Sequence, residues 1–398
     1  MTFQFYTALT ELDTLQTTAM NKLKKMPKTF VQGKFSHRLR SSLNLLGTSL
    51  EVLFRRTIGK PLVPEWSISF EIGTLFYRRQ FNQAFAMKSI AESRAYFDSL
   101  YTVIDPLPDV EVIENRPGQP KGSWVLPIKP ASSIAMLYFH GGGYSFNAAV
   151  TQHFVRMLAQ VLNVKTFSLD YRLTPEHPHP AQIEDAVAAY RYLLNRGIDH
   201  KAIVVAGDSA GGHLALMTLI ALKSSGLPQP ALAIALSPWT DTGKRGQSLF
   251  GNDRFDMVQG YQTQQYSEWL KGGNIFTDED LSPMHQDYRA TAPIYIQAGS
   301  REILVDMIRD FAKKLTKDQL PVRLDVWQNM THEFHAYGHT IPESKQALES
   351  IRQAIDWSTR ASGDATFVPI AQTEVDSLQS PNTTQKPQSV ARWRPSKT

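Results

Sequence analysis

The sequence predicts an α/β fold, with a mostly parallel sheet of eight strands and helices on both of its faces. Two observations lead to this prediction. Between about residues 109 and 358, short apolar runs alternate with segments of helical periodicity. The apolar runs are continuous, which is typical of strands buried on both sides of a parallel sheet. The 398 residues are 42% hydrophobic, so the chain can bury a core of this size.

The strands of this sheet can be placed in order along the chain. An opening hairpin is indicated by Val110, Val112 and the run from Trp124 to Leu126. Six more strands are predicted at 134–139, 165–170, 202–207, 232–237, 293–299 and 322–327. The helical segments cover about 150–163, 181–195, 210–223, 303–317 and 343–358. Residues 105–361 are therefore expected to form one domain around the sheet.

Two segments depart from this alternation. The segment 240–285 is polar and aromatic and too long for an ordinary connection, so we expect a helical cap or lid over the site. From residue 362 to residue 398, Gln, Ser, Thr and Pro are prominent and apolar periodicity is weak. This composition predicts a mostly disordered C-terminal tail.

Residues 1–104 are predicted to form an N-terminal helical cap and arm. An apolar stripe with spacings of four and three residues predicts one amphipathic helix, formed by Leu39, Leu43, Leu46, Leu50 and Leu53. A second amphipathic stretch covers about 81–101. We interpret the leucine stripe as a face buried in the cap or core, although its basic surroundings would also suit an anionic membrane surface.

Positive charge is concentrated in this arm. Residues 1–60 contain ten Lys or Arg and three acidic residues, whereas the whole chain carries a net charge of +5. The rest of the chain is therefore slightly acidic, which argues against a nucleic-acid partner. The N-terminus does not resemble a secretion signal, and no window approaches the roughly 20 apolar residues of a membrane span. We expect a cytoplasmic monomer or homodimer that is at most peripheral to a membrane.

Ser209 is the strongest candidate for a reactive group. It lies in the sequence Gly207-Asp208-Ser209-Ala210-Gly211-Gly212, where a predicted strand ends and a predicted helix begins. A sharp turn exposes a serine hydroxyl, and flanking glycines permit such a turn and close packing of strand and helix. We therefore predict that Ser209 is a nucleophile.

A second glycine-rich turn, His140-Gly141-Gly142-Gly143-Tyr144, follows the strand at 134–139. Consecutive glycines let backbone N–H groups converge on one point, as the stabilisation of an oxyanion requires. The proline-rich segment 170–180 is expected to brace the loops around this turn without taking part in the chemistry.

A serine nucleophile needs a base, and the base needs an acid that orients it. His332 follows the strand at 322–327 and is the preferred base, with His335 as the competitor. Glu302 follows the strand at 293–299 and is preferred to Asp306, because it lies nearer to the strand end. The chain has no cysteine, and the spacing of the two histidines is not that of the zinc helix motif, so no metal is expected.

Together these motifs resemble the hormone-sensitive-lipase-like branch of bacterial esterases. The resemblance covers about Leu137 to Phe334 and includes, in order, HGGGYSF, DYRLTPEHPHPA, GDSAGG, LSPWTD and GSREILVD. It implies an α/β-hydrolase fold under a cap, esterase or lipase activity without a cofactor, and oxyanion donors at Gly142, Gly143 and Ala210. The sequence departs from the family pattern twice, because the family usually has Asp at the position of Glu302 and Gly at that of Glu333.

The function expected from these residues and this resemblance is the hydrolysis of short- to medium-chain carboxylic esters through an acyl-enzyme. The partner would be a small-molecule ester. The same groups would also serve a small-molecule deacetylase, an amidase or a lactonase. A non-catalytic ligand receptor on this fold is a further alternative, but such receptors tend to lose the base, and His332 is present.

Overall fold

The architecture is given by a computed structural model, which describes residues 28–103, 110–128, 130, 133–273, 275–360 and 373–375. Two short strands, β1 (Lys28–Val31) and β2 (Leu100–Val103), form a separate antiparallel pair. The main sheet consists of β3 (Val110–Glu114), β4 (Gly122–Pro127), β5 (Ala135–Phe139), β6 (Lys165–Leu169), β7 (Ile203–Asp208), β8 (Leu232–Leu236), β9 (Ile294–Gly299), β10 (Val322–Trp327) and β11 (Thr373–Val375).

The strand order of the main sheet is β11-β10-β9-β8-β7-β5-β6-β4-β3. The β3–β4 and β4–β6 pairs are antiparallel and the other pairs are parallel. The eight predicted strands are confirmed. The short strand β11, which lies in the predicted tail, is added and pairs with Asp325 to Trp327 of β10. The remaining tail residues and the basic arm up to residue 27 lie outside the described residues.

The helices follow the predicted segments to within a few residues. They are α1 (Phe35–Thr57), α2 (Ile68–Phe85), α3 (Ile90–Phe97), α4 (Ala149–Leu162), α5 (Ala181–Asn195), α6 (Ala210–Ser224), α7 (Ser248–Gly251), α8 (Gly260–Lys271), α9 (Asp278–Leu281), α10 (Val305–Lys317) and α11 (Pro342–Arg360). The stretch expected to be one helix at 81–101 instead contains the end of α2, then α3 and the start of β2. No helix within the described ranges is long and apolar enough to cross a bilayer.

Two apolar layers cover the faces of the sheet, because successive strand residues point to opposite sides. Leu137 and Phe139 of β5 pack in a layer with α5, α6 and α10. Met136 and Tyr138 of the same strand pack in the other layer with α4 and α11. The carboxyl ends of the parallel strands therefore meet at one edge between two rigid layers, where a site can be held in place.

The N-terminal helices α1, α2 and α3 pack on one another beside this edge. The prediction that the leucine stripe of α1 is buried is wrong, because all five leucines are about half exposed and Leu43 is 58% exposed. The buried side of the helix carries Ser41 and Thr48 instead. The periodicity predicted the helix, but hydrogen bonding by its polar side decides which side faces the protein.

Candidate active site

Ser209 lies in the turn between β7 and α6, with φ at 54° in the left-handed region. Two glycines permit this turn. A Cβ at Gly207 would lie 2.3 Å from the carbonyl oxygen of Gly211, and a Cβ at Gly211 would lie 2.0 Å from that of Phe139. Because β5, β7 and α6 approach each other so closely, a side chain at either position would force them apart. The turn presents the serine hydroxyl at the carboxyl edge of the sheet.

The glycine-rich turn after β5 lies beside Ser209. Gly142 and Gly143 have φ angles of 103° and 60°, and both line the same cavity as Ser209 and Ala210. Among the described residues, the N–H groups of Gly142 and Gly143 donate to no protein acceptor. The N–H of Ala210 is the first of α6, where an α-helix offers no acceptor. These three donors are therefore available to an oxygen that becomes negatively charged.

The segment at 170–180 holds this turn, as its sequence predicts. The Tyr171 hydroxyl donates to the carbonyl oxygen of His140 at 2.6 Å, and the two rings stack with centroids 4.2 Å apart. Arg94 of α3 joins both segments, because its guanidinium donates to the carbonyl oxygens of Ser145 at 2.7 Å and Thr174 at 2.9 Å. The N-terminal helices thus help to position the candidate oxyanion donors.

His332, which follows β10, reaches the serine. Its Nε2 lies 2.9 Å from Ser209 Oγ, within hydrogen-bond distance. The competing histidine, His335, is buried against Phe334. Neither ring nitrogen of His335 has a hydrogen-bond partner among the described residues, and burial lowers its pKa to about 3. The geometry favours His332 as the base.

Glu302, which follows β9, is fully buried on the other side of the imidazole. Its Oε2 lies 3.7 Å from His332 Nδ1, which is too long for a hydrogen bond, so Glu302 acts on the ring as a nearby charge. Asp306, the alternative acid, accepts a hydrogen bond from the N–H of Ser248 at 2.9 Å. Glu302 is therefore the better placed of the two acids to orient the base.

A second buried acid, Asp256, was not predicted from the sequence. One of its carboxylate oxygens accepts from the N–H of His332 at 3.0 Å, and the other accepts from the N–H of Ile303 at 2.7 Å. Burial raises the pKa of Asp256 to about 6. This carboxylate ties the loop of the histidine to the loop of Glu302. No sequence motif marks it, because its role depends on how the insertion folds back on the sheet.

Glu333, where the family usually has Gly, has φ at 53°. This left-handed conformation explains why glycine suits the position. The Glu333 Oε1 lies 3.7 Å from His332 Nε2, the nitrogen that faces the serine. Burial and the adjacent Asp208 carboxylate raise the pKa of Glu333 well above its ordinary value, and His332 opposes this shift. Glu333 is therefore an additional proton-binding group inside the site.

The pKa of His332 results from opposing effects. Burial alone would lower the pKa of the imidazole, but Glu302 and then Glu333 and Asp256 raise it, and the net result is a pKa of about 9. Three carboxylates around one ring thus stabilise the imidazolium form. A base in this environment accepts a proton from a serine more readily than an isolated histidine does.

Comparison with known proteins identifies the family. A family model described as the alpha/beta hydrolase fold matches residues 136–336, which include the serine, both glycine-rich turns and the two loops of the candidate acid and base. The chain belongs to the α/β-hydrolase family. Within that family, an acetyl-hydrolase from Streptomyces hygroscopicus is 35% identical over 234 residues, which are 58% of this chain and 78% of the relative.

Further relatives place this α/β-hydrolase near the branch that its motifs resemble. An esterase from Acinetobacter venetianus is 31% identical over 265 residues, which are 64% of this chain and 88% of the relative. The crystal structure of an esterase from the bacterial hormone-sensitive lipase family matches with a TM-score of 0.65 and 29% identity. The match covers 71% of this chain and 97% of the esterase chain. The predicted resemblance to hormone-sensitive-lipase-like esterases is confirmed.

The pocket of this α/β-hydrolase opens over Ser209 and has largely apolar walls. Three aromatic side chains of the N-terminal helices form one wall: Tyr77, Phe81 and Phe97. The insertion contributes Tyr266, whose ring lies directly on the backbone of Gly143, where a Cβ would approach within 2.4 Å. The segment 240–285 contains the helices α7, α8 and α9 and lines the pocket with Met257 and Tyr266, and its role as a cap stays a prediction.

Proposed function

We propose that the protein hydrolyses carboxylic esters of short to medium acyl chains through an acyl-enzyme formed on Ser209. That it is an ester hydrolase follows from relatives named acetyl-hydrolase, esterase and carboxylesterase at 26–35% identity. The observation that carries the mechanism is the contact of 2.9 Å between Ser209 Oγ and His332 Nε2. This contact lies in a pocket that also contains unpaired backbone donors.

In the first half of the reaction, His332 takes the hydroxyl proton as Ser209 Oγ attacks the ester carbonyl carbon. The carbonyl oxygen becomes negatively charged and accepts hydrogen bonds from the N–H groups of Gly142, Gly143 and Ala210. Removing one such donor typically costs on the order of 3 kcal/mol of transition-state stabilisation. The alcohol then leaves with the proton from His332, and the acyl group stays on the serine.

In the second half, His332 takes a proton from water, which attacks the acyl carbon. The same backbone donors stabilise the second tetrahedral intermediate. Its collapse releases the carboxylic acid and returns the proton to Ser209. Glu302, beside Nδ1, holds the ring in the tautomer that leaves Nε2 free to accept and stabilises the imidazolium in both halves.

The apolar pocket supports short to medium acyl groups. The aromatic side chains Tyr77, Phe81, Phe97 and Tyr266 would contact a hydrocarbon chain but would not pair with a charged one. The relative named acetyl-hydrolase supports the short end of this range. Cytoplasmic location and the monomeric or dimeric state stay predictions from the sequence.

The test combines covalent labelling with a substrate profile. A fluorophosphonate probe should label the wild type and Ser225→Ala, whose serine is exposed at the end of α6, but it should not label Ser209→Ala. The hydrolysis of p-nitrophenyl esters from acetate to palmitate should peak among the shorter chains in the two labelled proteins. Undiminished labelling of Ser209→Ala would contradict the assignment of the nucleophile, and faster cleavage of anilides than of esters would contradict the substrate class.

A further inference from the structure

Helix α1 presents an exposed apolar face that runs along its whole length. Its members lie three or four residues apart and are about half exposed or more, from Leu39 and Leu53 at 47% to Leu50 at 59%. Aromatic rings extend the face at both ends, with Phe35 70% exposed and Phe54 64% exposed. A continuous apolar surface of this kind marks a site of interaction on most soluble proteins.

Hydrogen bonds fix this orientation of α1. The polar side chains on its opposite face bind the neighbouring helices: Asn44 Nδ2 donates to the Tyr96 hydroxyl at 2.8 Å, and Ser41 Oγ lies 2.7 Å from Ser99 Oγ. Gln80 of α2 joins the network, with its Nε2 3.0 Å from Ser41 Oγ. If the helix rotated to bury its leucines, these buried polar groups would lose their partners, so the apolar face stays outside.

Positive charges predominate in the sequence that leads into the face and, among the described residues, at its borders. Between Asp13 and Glu51 the sequence contains no carboxylate and seven cations: Lys22, Lys24, Lys25, Lys28, Lys34, Arg38 and Arg40. In the described part of the chain, Lys34, Arg38 and Arg40 are exposed. Glu51, the single carboxylate of α1, is already bound to Arg55 at 2.9 Å and to Arg79 at 2.5 Å.

We propose that the exposed face of α1 binds an anionic lipid surface, with its leucines at the level of the acyl chains and the cations around the phosphates. An amphipathic helix that is apolar on one side and basic at its borders is suited to the plane of a membrane interface. Each cation near such a surface adds attraction to anionic headgroups. This inference goes beyond the proposed function, because lipid binding needs none of the groups around Ser209.

A second copy of the chain is the competing occupant, because spacings of four and three residues also occur in coiled-coil seams. In such a pair, the positions that flank the seam normally carry opposite charges. Arg56, at one of these positions here, is neutralised by the buried Glu71, and the exposed Arg40 at another would find no carboxylate at the flanking positions of a second copy. Charge complementarity therefore favours anionic lipid over a second copy.

The position of α1 links this surface to the pocket. The helix packs on α2 and α3, and these helices supply Tyr77, Phe81 and Phe97 to the pocket wall. Binding through α1 would place the site one helix layer from the membrane. Esters dissolved in the bilayer would then have a short path to Ser209.

The test is co-sedimentation of the full chain with vesicles of phosphatidylcholine, either alone or with roughly 30% phosphatidylserine. The wild type should bind the anionic vesicles, and Leu46→Glu/Leu50→Glu should lower the partition coefficient by about tenfold or more. The matched control is Ile128→Glu/Ile275→Glu, which changes two exposed apolar residues elsewhere, at 67% and 74% exposure, by the same charge. The control should bind as the wild type does. Unchanged thermal unfolding of both variants shows that each is folded.

A second variant separates charge from apolar contact. This variant is Lys34→Gln/Arg38→Gln/Arg40→Gln, and at low salt it should lose binding to the anionic vesicles. At about 0.5 M salt the charges are screened, so its vesicle binding should equal that of the wild type. The proposal is overturned if the wild type does not bind anionic vesicles, or if the leucine variant binds them equally well. It is also overturned in favour of a second copy if light scattering shows a dimer that the leucine variant converts to a monomer without any vesicle binding.

Discussion

Buried polar side chains occur in two neighbouring regions of this molecule, but only one of them satisfies its hydrogen bonds. Between α1 and its partners, Ser41, Asn44, Gln80 and Tyr96 form a closed network with distances of 2.7–3.0 Å. At the sheet edge, both carboxylate oxygens of Glu302 and the Nδ1 of His332 lack a hydrogen-bond partner among the described residues.

The difference separates polar groups that hold the structure from polar groups that react. A satisfied network stabilises the arrangement of helices, whereas a buried carboxylate beside an imidazole, without hydrogen bonds, costs stability and is retained because it stabilises the imidazolium during the reaction. Mutations in the two regions should therefore affect different measurements. Mutations at the site should change kcat/KM, and mutations in the α1 network should change the free energy of unfolding.

The largest effect is expected for Glu302→Gln. Loss of the charge beside Nδ1 should lower kcat/KM on the order of 10³-fold, because the imidazolium that forms during the reaction is no longer stabilised. The free energy of unfolding should change less than the activity, because burying a neutral amide in place of a carboxylate offsets part of the lost attraction to His332. Kinetics with p-nitrophenyl butyrate and denaturant titration measure both quantities. Asp306→Asn is the control and should keep most of the activity; a greater loss in this variant would make Asp306 the acid.

Gln80→Leu should show the opposite pattern. The substitution removes the acceptor of the Tyr96 hydroxyl proton and one of the two hydrogen bonds of Ser41, so the free energy of unfolding should fall by about 2 kcal/mol. The kcat/KM should stay close to that of the wild type. Gln353→Leu, on the exposed side of α11, should change the stability by less than about 0.5 kcal/mol. Equal stability of the two variants in urea would show that the network is not a structural one.

The pH dependence of activity provides a smaller effect. Because His332 acts as a base in its neutral form and its pKa is about 9, kcat/KM should rise with pH and reach half its maximum near pH 9. Glu333→Gln should shift this midpoint to lower pH, since the carboxylate of Glu333 stabilises the imidazolium. Glu268→Gln, on the exposed side of α8, should not move it. A midpoint that is the same in all three proteins would exclude Glu333 as a determinant of the base.

The smallest effect is expected on the exposed face of α1. Leu46→Ala should change the free energy of unfolding by less than about 0.5 kcal/mol, because the side chain is already in contact with water. The same substitution at Leu315, which is fully buried in α10, should cost about 3 kcal/mol. Thermal or urea unfolding compares the two variants. A large loss at Leu46 would mean that another part of the chain covers this face.

The sequence was sufficient where local patterns determine the structure. The eight strands and the turn at Ser209 could be predicted, because apolar runs and glycines act within a few residues of one another. Which side of α1 faces solvent could not be predicted, since it depends on hydrogen-bond partners on other helices, such as Tyr96 and Gln80. Asp256 was missed for the same reason: its carboxylate meets His332 and Ile303 only after the insertion has folded onto the sheet.

One wall of the pocket and the reacting groups come from different parts of the chain. Tyr77, Phe81 and Phe97 belong to the N-terminal helices, whereas Ser209 and His332 sit on the ends of sheet strands. Evolution could therefore have changed the substrate range by altering α2 and α3 while the machinery stayed constant. For an engineer, the same division makes these three aromatic positions the first place to randomise when a new acyl group is wanted.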